Sequence, residues 1–355
     1  MLLPSAAVRA AALAALALLA ASGCAPGSGT ASGPQQPGIT PEEREVTFTS
    51  GPDTVHGTLA LPPETDGPVP GALIISGSGP TDRDGDNPTR PDAGTNRNFA
   101  RLLADAGVAS LRYDKLGSGE TGMASRDADE EADYDVFEQE MIDAYSELAA
   151  RPEVDPERLL VLGHSEGSLF ALRAPEVVQE HPPAALVLAA PVGTRYLDTV
   201  DRQVTENVRR QESAGTIDTA EATELLSDTR YAIARIRSEE RFDADPVPDL
   251  GGLFDPAFVP FLHHIDTLDP VELGRGLPSG VSTLVLWGTA DSQVAKSDVD
   301  RLMTGLDSAE RVDLEGADHV FRMYDDTPGA DVLDSEREFS PDIEPALDSF
   351  LDTAV

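Results

Sequence analysis

The chain has 355 residues, with 64 acidic against 26 basic side chains for a net charge of −38, and one cysteine. Charge of that sign excludes nucleic acid as a partner, and a single thiol excludes a disulfide framework or a multi-cysteine metal cluster. With 40% hydrophobic and 25% charged residues, the composition is that of a soluble globular protein with enough apolar side chains for a large core.

Residues 1–23 carry Arg9, an apolar run from Ala10 to Ala21, and the small residues Ser22 and Gly23. That order of charge, short apolar run and small residues predicts an export signal, and the run is too short to span a bilayer comfortably. Cys24 stands where such a signal is cut. The segment resembles the lipobox of bacterial lipoproteins, with Ala21 where leucine is commonest. The resemblance implies acylation of Cys24 and an extracytoplasmic protein anchored to the membrane through its lipidated amino terminus. A signal cut that leaves Cys24 unmodified is the alternative. Residues 24–41 are mostly Gly, Ser, Pro, Thr and Gln, too polar to offset their ordering entropy, which predicts a flexible tether. The folded domain is therefore expected over residues 42–355.

Two β-type runs, Val46–Thr49 and His56–Leu61, flank the turn signal Ser50-Gly51-Pro52-Asp53 and predict an opening hairpin. Short apolar runs then alternate with helical stretches: Ala72–Ile75, Val108–Tyr113, Leu159–Leu162, Ala185–Ala190, Thr283–Trp287 and Val312–Leu314. Continuous apolar runs suit a parallel sheet covered on both faces, and the intervening helices predict βαβ crossovers, so the fold class is α/β. Asn98–Ala106, Ala132–Ala149 and Ser168–Val178 carry the helical patterns. Between about 196 and 273 the alternation stops. That stretch is rich in Arg, Glu and Ala without a parallel-strand pattern, and predicts a helical insertion capping the sheet.

Gly163-His164-Ser165-Glu166-Gly167 follows one apolar run and opens a helical stretch. A Gly-x-Ser-x-Gly turn between strand and helix is the nucleophile elbow of α/β hydrolases, in which the glycines let the elements close and the serine stands exposed. A serine hydroxyl needs a base to take its proton and a carboxylate to orient that base. Asp291 lies just past the strand ending in Trp287-Gly288, and His319 lies in the loop after the last strand, which supplies the order Ser, acid, His. Asp318 and Asp298 are the alternative acids. The tetrahedral intermediate also needs oxyanion donors. One is expected from the backbone N–H of Glu166. The other is expected from the loop Ser76-Gly-Ser-Gly-Pro80, from Ser78 first and Gly77 second.

Four stretches together carry a wider resemblance: Ser76-Gly-Ser-Gly-Pro-Thr-Asp-Arg-Asp-Gly85, Leu111-Arg-Tyr-Asp-Lys-Leu-Gly-Ser-Gly119, the Gly-His-Ser-Glu-Gly elbow, and Trp287-Gly-Thr-Ala-Asp291-Ser-Gln-Val294. They resemble the bacterial α/β-hydrolase carboxylesterases related to serine aminopeptidases and dienelactone hydrolases. The resemblance runs from about residue 46 to the end. It implies an α/β-hydrolase fold and hydrolysis of small, often short-chain acyl esters without cofactor. Aminoacyl amides, the substrates of a peptidase, are the alternative, and a surface binding lipoprotein that has lost activity is the non-enzyme reading. Leu116 stands where relatives often have Arg, which implies a structural difference only. Nothing in the sequence specifies an oligomeric state.

The remaining features read as structure. Asp82, Asp84 and Asp86 lack the Glu that a calcium loop requires at its end. His263 and His264 suit surface or packing positions, and His164 is expected to support the elbow. The side chain of Glu166 either shapes the pocket or faces solvent. The acidic run Asp127–Asp135 is expected to be a solvated loop and helix start, and Arg112 with Asp114 is expected to form an ion pair or hydrogen-bond network.

Overall fold

A computed structural model of the chain describes residues 40–63, 67–127, 130–324 and 333–355. The expected export signal, Cys24 and residues 25–39 of the expected tether lie outside the described residues.

Strands β1 (Glu42–Ser50) and β2 (Asp53–Leu61) form the expected antiparallel hairpin, closed at the Ser50 and Asp53 pair. The apolar runs become β3 (Val69–Ile75), β4 (Ala109–Tyr113), β5 (Val154–His164), β6 (Ala185–Ala189), β7 (Ser282–Gly288) and β8 (Glu310–Leu314). All eight strands form one sheet in the order β1-β2-β4-β3-β5-β6-β7-β8. From β4 to β8 every neighbouring pair is parallel, and only β2 against β1 and β4 is antiparallel.

Successive side chains of a strand face opposite ways, and here they feed two cores. Leu73, Ile75, Val161, Leu186, Leu188 and Val285 point to one side, where they meet helices α2 (Tyr134–Ala149), α3 (Gly167–Val177) and α8 (Lys296–Met303). Ala72, Ile74, Leu160, Leu162, Val187 and Leu286 point to the other, against α1 (Thr95–Asp105) and α9 (Ile343–Ala354). Both faces are thus covered, as continuous apolar strands require. Each fully buried Leu, Ile or Val contributes about 1.5–3 kcal/mol relative to exposure.

Local signals set where these helices begin. Asp133 accepts from the Val136 N–H at 3.3 Å and caps α2, so the described end of the acidic run does start a helix. Between β6 and β7 the chain is helical: α4 (Tyr196–Ala214), α5 (Thr219–Arg237), α6 (Val259–Thr267) and α7 (Pro270–Arg275). Asp218 and Glu221 form a capping box at the start of α5. Asp266 of α6 is buried. It accepts from the Leu197 N–H at 2.8 Å and pairs with Arg195 and Arg237, tying α6 to both ends of the α4–α5 hairpin.

His263 bonds the Ile236 carbonyl through Nδ1, and His264 packs on the Tyr134 ring, so both histidines pack the insertion. Of the expected ion pair or hydrogen-bond network, Arg112 and Asp114 form no direct pair but join one network through the adjacent loop residues Asp84 and Arg83. Buried Arg112 instead pairs with Asp84 and Glu43, each at 2.8 Å, while Asp114 accepts from the N–H groups of Arg83 and Glu120. The partners of Arg112 come from β1 and from the loop after β3, and those of Asp114 from that loop and from the loop after β4.

Candidate active site

The elbow is built by close approach. A Cβ on Gly163 would lie 2.2 Å from the Gly167 carbonyl oxygen, and one on Gly167 would lie 2.4 Å from that of Ile75. Both positions need glycine because strand, turn and helix pass within contact distance of each other's backbone. Between them Ser165 has φ 54°, a left-handed conformation that costs a non-glycine residue about 1–2 kcal/mol. Its N–H is anchored to the Ala189 carbonyl at 2.8 Å, so the end of the neighbouring strand holds the strained turn in place. The side chain of Ser165 is half-buried at the carboxyl end of β5.

The loops after β7 and β8 are laced together. Thr289 and Ala290 donate to the Leu314 and Ala317 carbonyls, and a Cβ on Gly288 would collide with the Ala317 carbonyl at 2.2 Å. This lacing brings Asp291 to His319, with Nδ1 and Oδ2 at 2.9 Å. A carboxylate only accepts, so Nδ1 carries the proton and Nε2 is left as an acceptor. The other Asp291 oxygen accepts from the N–H groups of Gln293 at 2.6 Å and Val294 at 2.9 Å, which fixes the carboxylate plane.

The two alternative acids are engaged elsewhere. Asp318 accepts from Arg90 at 2.8 Å and Arg337 at 2.9 Å. Burial alone would raise its carboxyl, but those guanidinium groups overcome the effect and hold it below the usual range. Asp298 pairs with Arg202 at 3.0 Å and caps α8 through the Ala295 N–H.

His164 joins the elbow to the histidine loop. Its Nε2 donates to the His319 carbonyl at 2.9 Å, and the two rings lie 5.0 Å apart. Burial, with the nearby His319, pushes His164 down to about 3, so it is a neutral structural donor at ordinary pH.

Over the elbow lies the loop after β3. A Cβ on Gly77 would sit 3.3 Å from the Ser165 Cβ, which places this loop directly against the serine. The loop is held by the Ser76 hydroxyl donating to the Asp82 carbonyl and by Thr81 donating to the Ser78 carbonyl, each at 2.8 Å. Asp82, one of the three loop aspartates, turns inward and accepts from the N–H groups of Asp84 and Asp86.

The Glu166 side chain does not face solvent. It is 4% exposed, paired with Lys115 at 3.1 Å and accepting from the Tyr196 hydroxyl at 2.6 Å. Lys115 and Tyr196 were not singled out by sequence. The only available signal for Lys115 was its place in the Asp114-Lys-Leu-Gly stretch, and for Tyr196 its place where the strand pattern ends. Leu116 is buried, and its N–H donates to both oxygens of Glu140 at 3.1 Å. Glu140 is itself buried, and that burial pushes its carboxyl up to about 8.

Comparison with known proteins supplies the family. A profile of the alpha/beta hydrolase family matches residues 91–335. Esterase EstD of Thermotoga maritima is 25% identical over 275 residues, which is 76% of this chain but 57% of the relative's length. Among solved structures, a Pyrococcus furiosus esterase superposes with a TM-score of 0.52 at 14% identity, covering 93% of this chain and 99% of that one. Est1E of Butyrivibrio proteoclasticus, solved with ferulic acid, gives 0.52 at 16% identity, covering 87% and 98%. The sheet order, the elbow and the profile match agree, and the chain belongs to the alpha/beta hydrolase family.

Proposed function

We propose that the protein is a serine hydrolase that cleaves carboxylic esters, with short acyl chains favoured, through an acyl-enzyme. The observation that carries this reading is the Asp291–His319 bond at 2.9 Å, on a loop that His164, the residue before the positive-φ Ser165, holds through the His319 carbonyl. His319 takes the Ser165 hydroxyl proton through Nε2 as the oxygen attacks the acyl carbon, and Asp291 stabilises the resulting imidazolium. The N–H groups of Glu166 and Ser78 receive the oxyanion, with Gly77 the second choice for the latter. His319 then protonates the leaving alcohol, and water repeats the sequence to release the acid. No cofactor or metal takes part.

Amide cleavage by an aminopeptidase-like enzyme calls for a carboxylate free to hold the substrate amine. Glu166, next to the proposed nucleophile, has both oxygens engaged by Lys115 and Tyr196 and so does not supply that grip. The esterase name of the Thermotoga relative points to the ester reading. Ser165→Ala is expected to abolish turnover of p-nitrophenyl butyrate and labelling by a fluorophosphonate, with thermal unfolding nearly unchanged. Equal rates in parent and variant would overturn the assignment.

From the lipobox-like residues before Cys24 we also propose an enzyme outside the cytoplasm, anchored through acylated Cys24, with the tether separating domain and membrane. Fatty-acid labelling that persists in Cys24→Ala would remove the anchor from it.

A further inference from the structure

Lys115 carries a buried charge beside the elbow that the reaction above leaves without a role. Its side chain is 12% exposed, and its ammonium donates to the Gly77 carbonyl at 2.5 Å and to Glu166 at 3.1 Å. Glu166 is held in turn by the hydroxyl of Tyr196, the first residue of α4. Burial, reinforced by the Glu166 carboxylate, pushes the Tyr196 phenol well above its ordinary range, so it stays a neutral donor.

The Gly77 carbonyl and the Ser78 N–H are the two ends of one planar peptide unit. A cation on the oxygen fixes the orientation of that plane. It also draws electron density from nitrogen towards oxygen, which makes the N–H at the far end a stronger donor. The second proposed donor is arranged in the same way. The Ser165 carbonyl, which shares a peptide unit with the Glu166 N–H, accepts from the Ser168 hydroxyl at 2.6 Å and the Ser168 N–H at 3.0 Å.

We propose that Lys115 is a positioning residue of the oxyanion hole, aiming and polarising the Gly77–Ser78 peptide, with Glu166 and Tyr196 holding its ammonium in place. The inference rests on Ser165 being the nucleophile. It gives Glu166 two tasks, since its backbone donates to the oxyanion while its side chain anchors the cation behind the other donor. Burying an ion pair is costly, and at this place, with the ammonium on the peptide of a proposed oxyanion donor, the cation acts on charge that develops during reaction. Tyr196 also makes the insertion part of the same support, because α4 begins on the residue that steadies the pair.

The test uses the Lys115→Met/Glu166→Gln variant, which removes the cation without stranding a buried carboxylate. It measures kcat and KM on p-nitrophenyl butyrate and on the matching thionoester, whose developing sulfur anion depends less on hydrogen-bond donors. The expected result is a melting temperature within about 5 °C of the parent, KM within about twofold, and kcat on the oxygen ester lower by about tenfold. The thionoester kcat is expected to change little, so the oxygen-to-sulfur rate ratio falls by about the same tenfold. An unchanged oxygen-ester kcat, or an equal loss on both esters that preserves the ratio, overturns the proposal. Should the double variant fail to fold, Lys115→Gln, which keeps an uncharged donor, is read by the same ratio. Ser165→Ala is run in parallel: turnover surviving there defeats the nucleophile assignment, whereas Ser165-dependent turnover with an untouched ratio defeats the Lys115 proposal alone.

Discussion

The carboxyl edge of the sheet and the helical insertion are assembled by different forces. At the edge, geometry comes from backbone: glycines at 163, 167 and 288 admit carbonyl oxygens that any Cβ would meet within 2.4 Å, and polar side chains such as His164 are buried and hydrogen-bonded. In the insertion, apolar side chains such as Leu197, Ile236 and Ile265 pack into the core shared with the sheet, and outer positions are joined by exposed ion pairs such as Arg230–Asp201 around a buried anchor at Asp266. Backbone contact tolerates almost no displacement, while exposed ion pairs can be rearranged at little cost. The edge is therefore built to hold its side chains still, and the insertion can change its outer surface without disturbing them.

Substitutions at the two places sharpen that contrast, and the largest effect is expected at the elbow. Gly163→Ala drives a methyl into the Gly167 carbonyl and is expected to lower stability by about 4 kcal/mol or more, or to prevent folding, as read by denaturant unfolding. A variant that unfolds like the parent would break the account of the edge.

The pH dependence of stability comes next, on the order of a few kcal/mol from each of two groups with opposite sign. His164 falls from 6.5 unfolded to about 3 folded, so the unfolded chain binds more protons between those values and stability declines as pH drops through that window. Glu140 rises from 4.5 to about 8, so its stabilising contribution is full below 4.5 and is lost as pH climbs towards 8. His164→Gln should flatten the acid limb and Glu140→Gln the alkaline one, measured by thermal unfolding across pH. Unchanged limbs in both variants would show that neither buried group sets the profile.

In the insertion, Asp266→Ala should cost about 2–3 kcal/mol, because it strands the Leu197 N–H and two arginines. The smallest effect belongs to Arg230→Ala, within about 0.5 kcal/mol in the same denaturant assay. A loss there matching that of Asp266→Ala would erase the distinction between anchor and outer surface.

Much of the edge is legible in sequence because its signals are local. Continuous apolar runs mark buried parallel strands, and Gly163, Ser165 and Gly167 mark a turn whose spacing is itself the constraint. Asp291 and His319 follow strand ends, so chain order alone nominates them. Lys115 and Tyr196 could not be read in that way. Lys115 meets Gly77 and Glu166, which lie 38 and 51 positions away, and Tyr196 meets Glu166 at a separation of 30. For the same reason the network expected around Arg112 and Asp114 could not be drawn in detail: the two meet through Arg83 and Asp84, and Arg112 also reaches Glu43, 69 positions distant. Fold class follows from periodicity, but the wiring behind a site depends on which distant charges the folded chain brings together.

The burial of Lys115 has a practical side. The chain contains only two lysines, and the other, Lys296 at the start of α8, has a side chain 60% exposed. Amine-directed reagents thus have one accessible lysine to attack. A fluorophore or a solid support coupled through an activated ester would attach at α8, and Lys115 would keep its ammonium.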